Sequence, residues 1–166
     1  MLKYVGFDIV FREIPDETTL AVNISNCPCH CNGCHSSYLA QDIGKPLNKA
    51  SLRELIEDNK GVSCVSFMGG DSDAIHLVAL ASWVKTHTNL KVAWYSGRQE
   101  LADIVAKQLQ WFDFIKLGPY KEEFGPLNSR TTNQRFYKVH RKVVSGLVGY
   151  ELEDETYKFW KHETEN

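Results

Sequence analysis

Val62-Ser-Cys-Val-Ser-Phe-Met68, followed at once by Gly69-Gly70-Asp71, is the stretch on which the reading of the fold turns. A nearly continuous apolar run of this length reads as a strand buried on both faces, and the glycine pair behind it as a sharp turn. The next segment, Ala74 to His87, reads as a helix with Ile75, Val78, Ala79 and Ser82 on one face. A strand feeding a helix through a glycine turn is half of a βαβ unit, and the same order recurs downstream. Leu90 to Tyr95 is a second apolar strand ending in Ser96-Gly97. Leu101, Ile104 and Val105 mark a third helix, and Phe112 to Leu117 gives a strand ending in Gly118-Pro119.

Upstream, apolar residues roughly alternate from Tyr4 to Ile14, Pro15-Asp16-Glu17 supplies a turn, and Thr18 to Ser25 resumes as an apolar run. This predicts an N-terminal hairpin leading into a central strand. Ser51-Leu-Arg-Glu54 fits a capping box, and Leu52, Leu55 and Ile56 share a helical face, so a helix is expected over about Lys49 to Asp58. The alternation as a whole predicts a parallel sheet, whose ligand site lies at the C-terminal ends of its strands. Past Pro119 the pattern weakens. Arg135 to Val139 and Lys142 to Tyr150 are candidate strands, and Tyr157, Phe159 and Trp160 fit a short docking helix as well as a mobile tail.

With 166 residues, 43% of them hydrophobic and 24% charged, the chain has the size of one domain, expected over 1–166 with a core at about 18–139 and an extension at 140–166. A net charge of -2 argues against nucleic acid as a partner. Asp8 and Arg12 interrupt any signal-peptide core, and no apolar run approaches membrane-spanning length. The expected location is the cytoplasm, with no membrane partner. In a reducing compartment, closely spaced thiols point to metal or redox chemistry rather than disulfides.

Four of the five cysteines lie in Asn26-Cys-Pro-Cys-His-Cys-Asn-Gly-Cys-His35, directly after the first central strand. Taken together they read C-x-C-x-C-x2-C, which a tetrahedral zinc would satisfy formally, although structural zinc sites usually draw their ligands from two separated turns. Taken as three, Cys27, Cys31 and Cys34 read C-x3-C-x2-C, in which each thiolate takes one iron of a cubane and the fourth iron keeps no protein ligand. Cys29 is then a small packed residue, because a fourth thiolate would close that iron. His30 and His35 fit donors to cluster sulfur or ordinary loop positions, and Cys64 fits core packing.

C-x3-C-x2-C in this position resembles the radical S-adenosylmethionine enzymes. Closer detail, in Met68-Gly-Gly-Asp71, Trp94-Tyr-Ser-Gly97, Gly118-Pro-Tyr120 and Thr132-Asn-Gln-Arg135, resembles the activating proteins of anaerobic ribonucleoside-triphosphate reductases. The landmarks span roughly Thr18 to Val139. The resemblance implies an incomplete (βα) barrel with parallel strands and helices outside. It implies a 4Fe-4S cluster on Cys27, Cys31 and Cys34, with S-adenosylmethionine at the open iron. Gly69, Gly70 and Asp71 would lie near the methionyl amino group, Ser96 and Gly97 near the ribose or methionine, and Asn133 and Arg135 at a cofactor or partner contact. The implied reaction is reductive cleavage to a deoxyadenosyl radical that makes a glycyl radical on the reductase, with an unidentified low-potential electron donor as second partner. Gly33 replaces the aromatic residue common before the third cysteine, and Asp71 replaces a common glutamate; both departures match the activators. The remaining readings are an activase of another glycyl-radical enzyme, a peptide-modifying relative, and a non-catalytic zinc or iron-sulfur module.

Overall fold

The computed structural model describes residues 1–29 and 37–163. Its strands are β1 (Lys3–Val10), β2 (Thr19–Ile24), β3 (Lys45–Pro46), β4 (Cys64–Met68), β5 (Lys91–Tyr95), β6 (Phe114–Leu117), β7 (Arg135–Val144) and β8 (Leu147–Asp154). They form a single sheet of order β3-β1-β2-β4-β5-β6-β7-β8. The inner four, β2, β4, β5 and β6, are parallel neighbours. β1 and β3 continue the sheet antiparallel on one side, and β7 and β8 do so on the other.

This mixed open sheet overturns the expected (βα) barrel with helices outside. A barrel closes only if its strands carry the ladder all the way round. Here the parallel set is flanked by antiparallel strands, and the sheet ends at β3 and β8. Residues 118–134 connect β6 to β7 without a helix, so the chain turns back beside β6 instead of crossing over. Helices are correspondingly few among the described residues: α1 (Lys49–Asp58), α2 (Ala74–His87) and α3 (Asp103–Ala106). The third helix expected around Leu101 to Val105 is reduced to a single turn with no side-chain cap.

Period-two alternation distributes the buried residues between the two faces. Leu20, Val22, Val65, Phe67, Val92, Trp94 and Ile115 pack with Leu52 and Leu55 of α1 and Leu77, Leu80, Ala81 and Val84 of α2. Each such side chain contributes about 1.5–3 kcal/mol by leaving water. The opposite face holds a smaller cluster of Cys64, Ala93, Phe114 and Phe136 under Ile14 and Leu127. Of the expected face of α2 only Val78 is buried: Ile75 is 69% exposed and Ala79 is exposed too, and the inward face is made with Leu77, Leu80, Ala81, Trp83 and Val84. That helix is apolar nearly all round, so periodicity alone could not orient it. The capping box of α1 also sits earlier than expected, with the Asn48 side chain accepting from Ser51 N–H and Ser51 Oγ accepting from Asn48 N–H, both at 2.9 Å.

At the C-terminal end, β7 takes in the candidate strand Arg135 to Val139, whereas the candidate strand Lys142 to Tyr150 is divided between β7 and β8, the arms of one hairpin. It turns at Ser145 and Gly146, where φ is 53° and 78°. A 3-10 segment, Thr156–Glu163, then folds back on the smaller cluster: Phe159 meets Phe136 edge-on at 5.1 Å, and Trp160 Nε1 donates to Leu127 O at 3.2 Å. No described helix is long and apolar enough to cross a membrane.

Candidate functional site

The parallel alignment of β2, β4, β5 and β6 brings their C-terminal ends to one rim. At the end of β2, Asn26 takes a left-handed φ of 59° and redirects the chain. Asn26 N–H then donates to Gln41 O at 3.0 Å, and Cys27 N–H to Leu39 O at 2.8 Å. The loop that carries the clustered thiols is thus tied off at its base by backbone hydrogen bonds. Cys27 and Cys29 are both half-buried. Cys31 and Cys34, the other two expected metal ligands, lie outside the described residues, as do His30, Gly33 and His35. Among the described residues no group of three or more His, Cys, Asp or Glu side chains forms a metal site.

At the end of β4, Gly69 and Gly70 have φ of 113° and 101°, a region costly for any residue with a Cβ. Trp94 Nε1 donates to Gly69 O at 2.8 Å, and Gly69 N–H to Tyr95 O at 3.0 Å, which fixes this turn against β5. The turn delivers Asp71, whose side chain is only 1% exposed. Ser96 Oγ donates to its Oδ1 at 2.5 Å and Gly97 N–H to its Oδ2 at 2.9 Å. Arg98 Nε stands 4.0 Å from Oδ1. A buried carboxyl group needs such partners, because an unsatisfied one costs several kcal/mol.

The expected residues Asp71, Ser96 and Gly97 are therefore joined in one hydrogen-bonded unit, and Cys29 lies beside it. Asn133 is at the same rim through β6: its Nδ2 donates to Pro119 O at 3.0 Å, while its buried Oδ1 has no partner among the described residues. Arg135 opens β7 opposite Leu117 and pairs with Asp154 at 3.7 Å. An open groove of about 510 Å³ crosses the rim, lined by Pro28, Cys29, Gly97, Arg98, Gln99, Glu100 and Pro119.

Two rim residues escaped the sequence reading. Lys116 is buried, and its Nζ donates to Ser96 O at 3.1 Å and Gly118 O at 2.9 Å, tying the ends of β5 and β6 together. Its signal was legible as a lone charge within the apolar run Phe114-Ile-Lys-Leu117. Arg98 has no comparable signal, since only the fold brings it to Asp71. Cys64 is a thiol of another kind. Burial in the smaller cluster pushes its pKa up to about 12, which leaves it protonated and inert.

The chemistry of the donor set fits an iron-sulfur cluster: four thiols closely spaced in sequence, directly after a parallel strand, in a segment whose two ends are joined by backbone hydrogen bonds. Residues 18–158 match the family described as a 4Fe-4S single cluster domain. No curated protein and no solved structure gives a significant match. Because the family match takes in most of the chain, the protein belongs to the 4Fe-4S single cluster family.

Proposed function

We propose that this 4Fe-4S protein is a radical S-adenosylmethionine enzyme that generates the glycyl radical of an anaerobic ribonucleoside-triphosphate reductase. The observation that carries the reading is the convergence of the Cys27–Cys29 segment with the Asp71, Ser96 and Gly97 unit at the ends of neighbouring parallel strands. Cys27, Cys31 and Cys34 would hold the cluster. A reduced cluster held there would supply the one electron needed for reductive cleavage of S-adenosylmethionine to methionine and a deoxyadenosyl radical, the species that would take a hydrogen atom from the target glycine.

The chain's own residues bind, orient and exclude water. Gly69 and Gly70 supply the left-handed turn that delivers Asp71 to the rim, a Cβ at either position being directed at the packed Ile24, and Asp71 holds the β5 end in register with them. On this reading Gly69, Gly70 and Asp71 serve the methionyl amino group, and Ser96 and Gly97 serve the ribose or methionine. Asn133 Oδ1, without a partner among the described residues, is an acceptor at the cofactor or partner contact, with Arg135 two positions on in the chain. The open groove leaves room for a glycine-bearing loop of a macromolecular substrate. The electron comes from a separate low-potential donor.

The test is anaerobic reconstitution with iron and sulfide, reduction, and addition of S-adenosylmethionine. Deoxyadenosine should form, and with the reductase present a glycyl-radical doublet should appear by electron paramagnetic resonance. Cleavage without the doublet moves the target to another glycyl-radical enzyme or a peptide. A stable cluster without cleavage leaves an electron-transfer module, and stoichiometric zinc without a cluster overturns the reading altogether.

A further inference from the structure

Gly97 does not have a positive φ, so its backbone would accept any residue, and the reason for glycine there must be space. The space is taken by Cys29. A Cβ built on Gly97 falls 2.7 Å from Cys29 Sγ and 3.2 Å from Cys29 Cβ, and its next neighbour, Asp71 Oδ2, is at an ordinary 3.9 Å. The other described glycines without a positive φ, Gly6 and Gly149, have nothing within 4 Å of the same position. The contact therefore singles out one partner. It joins the thiol loop to the residue whose N–H holds Asp71.

We infer that Gly97 is the seat into which Cys29 docks, and that this steric contact positions the thiol loop against the Asp71 turn. Cys29 is then a positioning residue: it binds no metal, but fixes how closely the loop approaches the strand ends. Rotation of Cys29 about its single χ would move Sγ aside and leave the Cβ contact at 3.2 Å, so a larger residue at position 97 must shift the loop itself or the β5 end. The inference rests on the proposed function only for its consequence for the cofactor; the contact itself exists in the metal-free chain.

A double-mutant series tests it. Gly97→Ala is combined with Cys, Ala or Gly at position 29, and thermal unfolding of the metal-free full chain is measured for each against the matching Gly97 variant. Gly97→Ala should lower Tm by about 5 °C with Cys29 present. The loss should shrink with Cys29→Ala and nearly vanish with Cys29→Gly. The same loss in all three backgrounds overturns the inference. In the reconstituted protein, Gly97→Ala should alter the change that S-adenosylmethionine makes in the resonance spectrum of the reduced cluster, and Cys29→Gly should restore it. If the unsubstituted protein shows no such change, the proposed function fails while the unfolding series still decides the contact.

Discussion

At the rim, Asp71, Ser96, Lys116, Thr132 and Gln134 are buried although polar; on the β7–β8 hairpin, Val143, Val144, Leu147 and Val148 are exposed although apolar. The two regions belong to one sheet and invert the usual distribution in opposite senses. At the rim each of these five polar side chains has found a partner: Ser96 on Asp71, Lys116 on two carbonyls, Thr132 on Gln134 N–H, Gln134 on Gly118 O. Such a network specifies one geometry, and losing a member leaves the others unsatisfied in a low dielectric. The hairpin is held by its own ladder and by surface pairs such as Lys142 with Glu151 at 2.7 Å, which contribute little. Substitutions should accordingly be severe at the rim and mild on the hairpin.

The largest expected effect is at Cys27. Cys27→Ala should abolish cluster retention, read as iron and sulfide per chain after anaerobic reconstitution, whereas Val144→Thr should leave both unchanged. A loss of iron in Val144→Thr would erase the distinction between the regions. Next comes Asp71→Ala, which strands Ser96 Oγ and Gly97 N–H and should cost about 3 kcal/mol in urea unfolding of the metal-free chain. A cost below about 1 kcal/mol would show that water substitutes freely for the carboxyl group and that the rim is not a closed network.

Lys116→Met keeps most of the aliphatic stem and removes the ammonium with its two hydrogen bonds to carbonyls, and is expected to cost about 2 kcal/mol, read in the same unfolding experiment. An equal or higher stability would mean that desolvating the lysine offsets both of its hydrogen bonds. Smallest of all, Gly146→Ala at φ 78° should cost about 1 kcal/mol through backbone strain at the hairpin tip. Cluster content should not respond. If it did, the hairpin would be coupled to the rim through β7.

Much of the rim could be read directly from the chain. Met68-Gly-Gly-Asp71 and Tyr95-Ser-Gly97 announce themselves because a strand followed by glycine has few alternatives, and the thiol spacing marks its own chemistry. What escaped was long-range. Arg98 and Lys116 matter through partners on other strands or turns, and the contact between Cys29 and Gly97 joins residues far apart in sequence. On α2, an almost uniformly apolar surface offered no stripe, so which face turned inward depended on what lay beneath it.

By itself, then, the sequence determined local structure: the βα order, the extents of α1 and α2, the turns at strand ends, and the thiol cluster, all set by neighbouring residues whose spacing is visible in the chain. Tertiary structure alone decided that the sheet is open and mixed rather than a barrel. That choice depends on whether β7 crosses over or turns back beside β6, and residues 118–134 carry no helix to take it across. It also decided that Asp71 is held by β5, since strand register, not sequence spacing, places Met68 opposite Tyr95 and so brings Asp71 to Ser96 and Gly97.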